Sequence, residues 1–423
     1  MTNFGRSQKA EAKKSQLLLQ IVDARRRFTP SSGLAAAQDS SKSNVDEGIP
    51  VAPDVVHLVD DDPVSIAQER LVQRGNTLAT EKRMDRTNTH KLIVVGASAG
   101  GMQALKRLVA QFPADLPAPV FIVTHLGPDA TGDALVHVLD EAGPLQCHHP
   151  TDGEHFTKGN IYVAPSDRHM LIEQSAILLT SGARENRYRP AIDPLFRSAA
   201  VAHGNRVIGV ILTGYLDDGT SGMMAIRRCG GICIAQHPED ADYADMPRSV
   251  VVNVGVDHCV PISSMGALLS ELSRQEAAED VPPPEDVVIE ARIAQRVLSD
   301  LPSVEALGDQ VPFNCPECGG VLWQIKEGDL LRYRCHTGHA FTSGVLLAVQ
   351  SAKIEETLWT ALRMFEERQN LMATMSTRPD GKSSKVLAER TKDAQVHIER
   401  IRAILLANEI PYWGSARITT VVN

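Results

Sequence analysis

The stretch LIVVGASAGGMQALKRLVAQ (92–111) decides the reading of this chain. The apolar run Leu92–Val95 ends at a turn of small residues, Gly96-Ala97-Ser98-Ala99-Gly100. A helical pattern, Met102–Gln111, begins at once. This is strand, tight turn and helix, with Ser98 at the centre of a G-x-S-x-G motif in the setting that motif requires. Small flanking residues let the turn close and hold the serine hydroxyl clear of the backbone. The N–H groups opening the next helix can then stabilise an oxyanion. A phosphate-binding glycine loop fits less well, because neither G-x-G-x-x-G nor a Lys-Ser/Thr pair is present.

Outward from this point, residues 91–275 alternate apolar strands with helical patterns. Strands are expected at Val120–Thr124, Asn160–Val163, Val207–Leu212 and Ile232–Ala235. Helices are expected at Asp133–Glu141, Pro194–His203 and Ser221–Arg228, and a hairpin at His169–Glu173 and Ala176–Thr180. The alternation predicts an α/β domain with a doubly wound, mostly parallel, Rossmann-like sheet. Residues that follow the strands of such a sheet gather at one carboxyl edge. His125 follows one strand and Asp218 another. Ser98, His125 and Asp218 therefore form a candidate triad of nucleophile, general base and orienting acid. Its chain order, Ser then His then Asp, is not the Ser, acid, His order of the α/β-hydrolases. A different fold with a convergent triad follows.

The remainder of the chain sets the context. Its 423 residues allow two or three domains. A net charge of −9 argues against nucleic-acid binding. No apolar run nears the roughly 20 residues of a membrane span, and no secretory signal opens the chain. Three of the seven Cys have metal-ligand spacing and the others show no disulfide framework, so a cytoplasmic location is expected. Residues 1–89 read as a largely disordered arm. Within it, Val55–Asp62 resembles the start of a response-regulator receiver domain, with acidic Asp60, Asp61 and Asp62. The chain has no room there for the other receiver strands, and aspartyl phosphorylation is not expected.

Residues 276–311 read as an acidic linker containing Pro282-Pro283-Pro284, followed by a Cys-rich module at 312–342. Cys315-x₂-Cys318, a 16-residue interval, then Cys335-x₃-His339 reads as a zinc ribbon. His336 is an alternative fourth ligand, although Gly338 favours a turn that presents His339. Four protein ligands leave no open position, so the Zn²⁺ is expected to be structural, with no cofactor for catalysis and a module separable from the α/β domain. Residues 345–375 and 384–408 carry helical apolar spacing broken at Pro379-Asp380-Gly381, which predicts a helical hairpin over 345–408.

Several segments together resemble the catalytic domain of the chemotaxis protein-glutamate methylesterases (CheB-type). They are VVGASAGG (94–101), IVTHLGP (122–128), YVAPSDRHM (162–170), RPAIDPLFRSAA (189–200), LTGYLDDGTSGM (212–223) and AQHPEDADYADMPRSVV (235–251). The resemblance implies hydrolysis of γ-glutamyl methyl esters on chemoreceptors or other signalling proteins, often with glutamine deamidation. It implies Ser98 as nucleophile, His125 as base and then acid, and Asp218 as the orienting acid, with Asp217 one residue away. The backbone N–H groups of Ala99 and Tyr215 are the candidate oxyanion donors. His169, Arg189, Asp193, Met246 and Pro247 also match, and are expected to shape the cleft or support the fold rather than do chemistry. Tyr215 and Leu216 depart from the smaller residues usual in the family, and the intact receiver is missing. Without it, control is expected from a regulatory protein at the C-terminal helices, with no membrane insertion. The competing reading is a non-catalytic scaffold that keeps the fold and binds a partner through the ribbon and helices. A zinc ribbon followed by helices resembles a stand-alone variant group of the same family.

Overall fold

In the computed structural model, which describes residues 91–125, 131–277, 281–295, 301–328, 330–376 and 384–407, Leu92–Ala97 forms strand β1 and is buried along its whole length. A strand hidden on both faces needs apolar residues at every position, and this one has them. The N-terminal arm with its receiver-like stub lies outside the described residues. Parallel partners flank β1: Val120–Thr124 (β2) on one side and Val207–Ile211 (β7) on the other. The other strands of the main sheet are Gln146–His148 (β3), Asn160–Val163 (β4), Ile232–Gln236 (β8) and His258–Val260 (β9). The spatial order is β3-β4-β2-β1-β7-β8-β9 and every pair is parallel. The chain first winds outward from β1 through β2, then returns to wind the other way through β7. The carboxyl end of β1 is thus a topological switch point, where sheets of this kind bind ligands.

Helices cover both faces. Gly101–Val109 (α1), Asp133–Asp140 (α2) and Ile262–Arg274 (α6) bury Leu105, Leu108, Leu139 and Leu269 against Ile93, Val95, Val120 and Ile122. Ile192–His203 (α3), Thr220–Arg228 (α4) and Asp245–Asn253 (α5) bury Phe196, Ala199, Ile226 and Met246 against Leu92, Val94, Phe121 and Val123. Successive side chains of a strand point to opposite faces, which is why neighbours in β1 and β2 serve different cores. The hairpin His169–Glu173 (β5) and Ala176–Thr180 (β6) is antiparallel and stands outside the main sheet.

The segment read as a linker is folded. Glu285–Gln295 (α7) buries Val287, Ala291, Ile293 and Ala294, and Leu301–Glu305 (α8) follows. The prolines precede α7 rather than interrupt it, and Glu285 and Asp286 sit in its first turn, where the helix dipole favours acids. Asp309–Asn314 (β10), Val321–Glu327 (β11), Leu330–Cys335 (β12) and Ala340–Thr342 (β13) form an antiparallel sheet in sequential order. It begins before residue 312 and continues directly into Ser343–Ser376 (α9). Ser384–Ala407 (α10) pairs antiparallel with α9: Gln369 contacts Gln395, and Glu366 accepts from Arg402. Leu362, Met372, Leu387, Ala394 and Ile398 are buried in the hairpin. No helix among the described residues is long and apolar enough to cross a membrane.

Candidate active site

Three loops at the carboxyl edge of the sheet bring Ser98, His125 and Asp218 into line. Ser98 lies between β1 and α1, His125 directly after β2, and Asp218 on the loop between β7 and α4. The Ser98 hydroxyl is 2.9 Å from His125 Nδ1, and His125 Nε2 is 2.7 Å from Asp218 Oδ2. An ionised Asp218 requires the ring proton on Nε2, which leaves Nδ1 bare to accept the serine O–H. Burial alone would push the Asp218 carboxyl up. The hydrogen bond and charge of His125, with donations from the Ile192 N–H and Asn186, outweigh that and hold it below the ordinary aspartate range. Asp218 Oδ1 also accepts from its neighbour Gly219 N–H at 3.0 Å.

The candidate oxyanion donors lie on two loops tied together. Ser98 N–H donates to Thr213 O at 2.9 Å, and the Thr213 hydroxyl donates to Ala99 O at 3.0 Å. Gly214 packs so closely on Ser98 that a Cβ there would lie 2.8 Å from the serine Cβ. Tyr215 follows Gly214 directly in the chain. The Tyr215 ring itself is exposed and leans on Tyr243, with centroids 4.4 Å apart. A cavity of about 220 Å³ opens beside Ser98 and His125, lined also by Met102, Gln103, Thr124 and Leu135.

The family model for CheB methylesterase matches residues 93–269. A protein-glutamate methylesterase/protein-glutamine glutaminase 1 from Geobacter metallireducens is 35% identical over 201 residues, which is 46% of this chain and 55% of that one. A Leptospira interrogans relative, named provisionally for the same pair of activities, is 34% identical over 186 residues, 44% of this chain and 96% of its own length. The chain belongs to the CheB methylesterase family. A crystal structure of the Thermotoga maritima CheB methylesterase catalytic domain is 32% identical, with a TM-score of 0.42, over 43% of this chain and 98% of that one.

The other positions that match the family pattern surround the three residues. His169 is buried between Ala183 O and Ala191 N–H, and burial pushes its imidazole below the usual range. Arg189 holds Asp167 and the carbonyls of Ser181 and Gly182. Asp193 accepts from Gly222 N–H at 2.6 Å and from Asn186 at 2.9 Å, and burial, with Asp218 nearby, pushes its carboxyl up to about 8. Met246 and Pro247 are buried in α5, with Met246 seated against Gly214. Sequence reasoning missed two further neighbours. Tyr188 stacks flat on His125, with centroids 3.5 Å apart and planes 4° apart. Asn186 bridges Asp193 and Asp218. Both lie in an irregular polar loop with no periodicity to mark them.

Asp217 is turned elsewhere, accepting from the Thr342 hydroxyl at 2.8 Å. Burial pushes its carboxyl up to about 6, against the lowering by Thr342, with the nearby Asp218 adding to the rise. A raised acid favours the folded state fully below about pH 4, and that contribution is lost as pH climbs through about 6. Asp217→Asn keeps the acceptor oxygen and removes the charge. Because Asp217 is only half-buried, solvent screening limits the gain above pH 6 to on the order of 1–2 kcal/mol. Urea unfolding of variant and parent should therefore agree near pH 4 and diverge at pH 8. Since Asp218 is the residue touching His125, the variant should also keep its hydrolytic rate; a collapse of that rate would make Asp217 the acid.

The ribbon is not a separate module. A buried ion cluster joins it to the α/β domain. Arg334 of β12 contacts Glu185 at 3.0 Å, Arg332 contacts Glu290 of α7 at 2.9 Å, and Arg197 of α3 pairs with Glu185. In its two knuckles, Gly319 N–H donates to Cys315 O and Gly338 N–H to Cys335 O. The ligand atoms of Cys315, Cys318, Cys335 and His339 all lie within 4.8 Å of one another. Cys318 Sγ is 3.7 Å from Cys335 Sγ, and Cys335 Sγ is 3.5 Å from His339 Nδ1. These two separations match edges of a tetrahedron with metal–sulfur bonds of about 2.3 Å and a metal–nitrogen bond of about 2.0 Å, so the group could hold a metal ion. His336 instead sets its ring edge-on to Trp323.

Proposed function

We propose that this chain is a protein-glutamate methylesterase, a serine hydrolase that cleaves γ-glutamyl methyl esters on chemoreceptors or related signalling proteins. The observation that carries the reading is the unbroken hydrogen-bond chain from Ser98 through His125 to Asp218, at a turn that opens a helix. The small, open cleft beside Ser98 suits a side chain presented by a protein surface.

In this reading Ser98 Oγ attacks the ester carbonyl carbon while His125 Nδ1 takes the hydroxyl proton. The carbonyl oxygen becomes an oxyanion facing the Ala99 and Tyr215 N–H groups. Asp218 holds the imidazolium that forms. Collapse breaks the bond to the methoxy group, which leaves as methanol with the proton from His125. Water, deprotonated by His125, then attacks the acyl-enzyme, and glutamate is released as Ser98 regains its proton. An amide would follow the same route and release ammonia, so deamidation of glutamine is a second activity of the same site. Methanol release from receptor membranes carrying methyl esters tests the reading, and no release by the full chain would end it.

Cys315, Cys318, Cys335 and His339 would hold Zn²⁺. With four protein ligands the ion has a structural part, closing the knuckles that shape the sheet. Folding of such a module is coupled to the metal. Elemental analysis should give one zinc per chain. Chelation should raise amide hydrogen exchange across β10–β13, and a protein whose exchange ignores the chelator would count against the site.

A further inference from the structure

We propose that the Cys-rich ribbon is a working part of the hydrolase: docked on the α/β domain, it holds Asn186, Tyr188 and Leu216 where they align His125 with Asp218. The proposal rests on the esterase reading above and makes these three positioning residues rather than catalytic ones.

The contacts form two short relays. In the first, β13 grips the loop at 184–188. Asn186 N–H donates to Ala340 O at 2.8 Å, and Thr342 N–H donates to Asn186 Oδ1 at 3.2 Å. The same Asn186 side chain donates through Nδ2 to Asp218 Oδ1 at 2.9 Å. One amide therefore has its acceptor end on the ribbon and its donor end on the acid beside His125. Glu185, next in line, is clamped by Arg334 of the ribbon. Two residues after Asn186, Tyr188 lies flat on the His125 ring. In the second relay, Leu216 packs against the ribbon core that includes Leu322, Tyr333 and Phe341. It stands two residues before Asp218 and one after Tyr215.

The turn at 185–188 closes on itself, with Glu185 N–H donating to Tyr188 O at 3.2 Å and Tyr188 N–H to Glu185 O at 2.9 Å, so the ribbon sets where that turn sits rather than its shape. Asn186 and Arg187 have φ of 49° and 77°, and Leu216 has φ of 61°. Asparagine in a tight turn accepts a left-handed conformation, but for leucine it is unfavourable and persists where surrounding structure imposes it. For Leu216 that structure includes the ribbon. A ribbon that lifts away removes the partners of Asn186 Oδ1 and of the Leu216 side chain together.

The test uses the metal-loaded full chain with Asn186→Ala and Leu216→Gly. Glycine accepts the backbone at 216, so the second variant removes the ribbon contact without adding strain. For Asn186→Ala, kcat should fall by about 10²-fold, as for a misplaced catalytic group, with KM nearly unchanged. The acid limb of the kcat profile should move to higher pH, because Asp218 loses a donor. Leu216→Gly should move both quantities the same way by a smaller amount, with faster hydrogen exchange in β13. In each variant the low-field proton resonance of His125 Nε2–H should shift upfield or broaden. Folded variants that keep the parent's resonance and pH profile would overturn the proposal. If Asn186→Ala fails to fold, Leu216→Gly decides. The resonance reports the His125–Asp218 contact whether or not an ester is cleaved, so a chain inactive in every form counts against the esterase reading alone.

Discussion

Replacing Ser98 with alanine is expected to lower methanol release from methylated receptor membranes by on the order of 10⁶-fold, while the fold survives. The size follows from how the site divides its work. His125 has no proton to take once the hydroxyl is gone, and Asp218 then orients a base with no nucleophile. Members of such a unit act together, so losing one forfeits nearly the whole effect. What remains is the background from oxyanion donors and substrate positioning. Stability should hardly change, since the serine hydroxyl sits in a partly open turn rather than in the core. The variant should still bind methylated receptor. A Ser98→Ala protein that kept more than about one per cent of the rate would place the nucleophile elsewhere. A parent that released nothing, yet bound receptor, would revive the scaffold reading.

The parts of this molecule visible in its sequence are those that local rules determine. β1, the turn at Ser98 and α1 were readable because a fully buried strand, a small-residue turn and an amphipathic helix each carry their own signature. β2, β4 and the β5–β6 hairpin have the bounds their apolar patterns indicate. The shared carboxyl edge then brought His125 and Asp218 to Ser98 without knowledge of any loop. The hidden parts depend on partners distant in the chain. β3 and β9 are three residues each, too short for a pattern, and form because a neighbouring strand offers its edge. α7 looked like linker because its prolines and acids mimic one, yet those residues are also suitable helix openers. Asn186, Tyr188 and Thr342 gain meaning only when β13 meets the 184–188 loop, more than 150 residues away in the chain.

Glu290→Gln should destabilise the folded chain by about 3–5 kcal/mol, the usual effect of removing one partner from a buried charge pair. Glu290 lies within reach of three guanidinium groups: Arg332 at 2.9 Å, Arg334 at 3.4 Å and Arg197 at 3.7 Å. Glu185 is the other carboxylate of the cluster, and all five side chains are almost wholly hidden. Burial would push the Glu290 carboxyl up, but the three arginines outweigh it and hold the group well below the ordinary range. Glutamine keeps the shape and removes the charge, so three buried cations would face one anion. Comparison with Asp286→Asn isolates the effect of burial. That residue makes a bidentate pair with Arg228 at 2.6 and 2.8 Å, but its side chain is 49% exposed. Solvent-exposed pairs contribute only about 0.2–1 kcal/mol, so this variant should lie close to the parent. Urea midpoints for the two variants should differ clearly, with Glu290→Gln far lower. Equal midpoints would mean that water reaches the cluster. A large drop would place a major share of the folding free energy at the junction of α3, α7 and β12, where the ribbon meets the domain that carries Ser98.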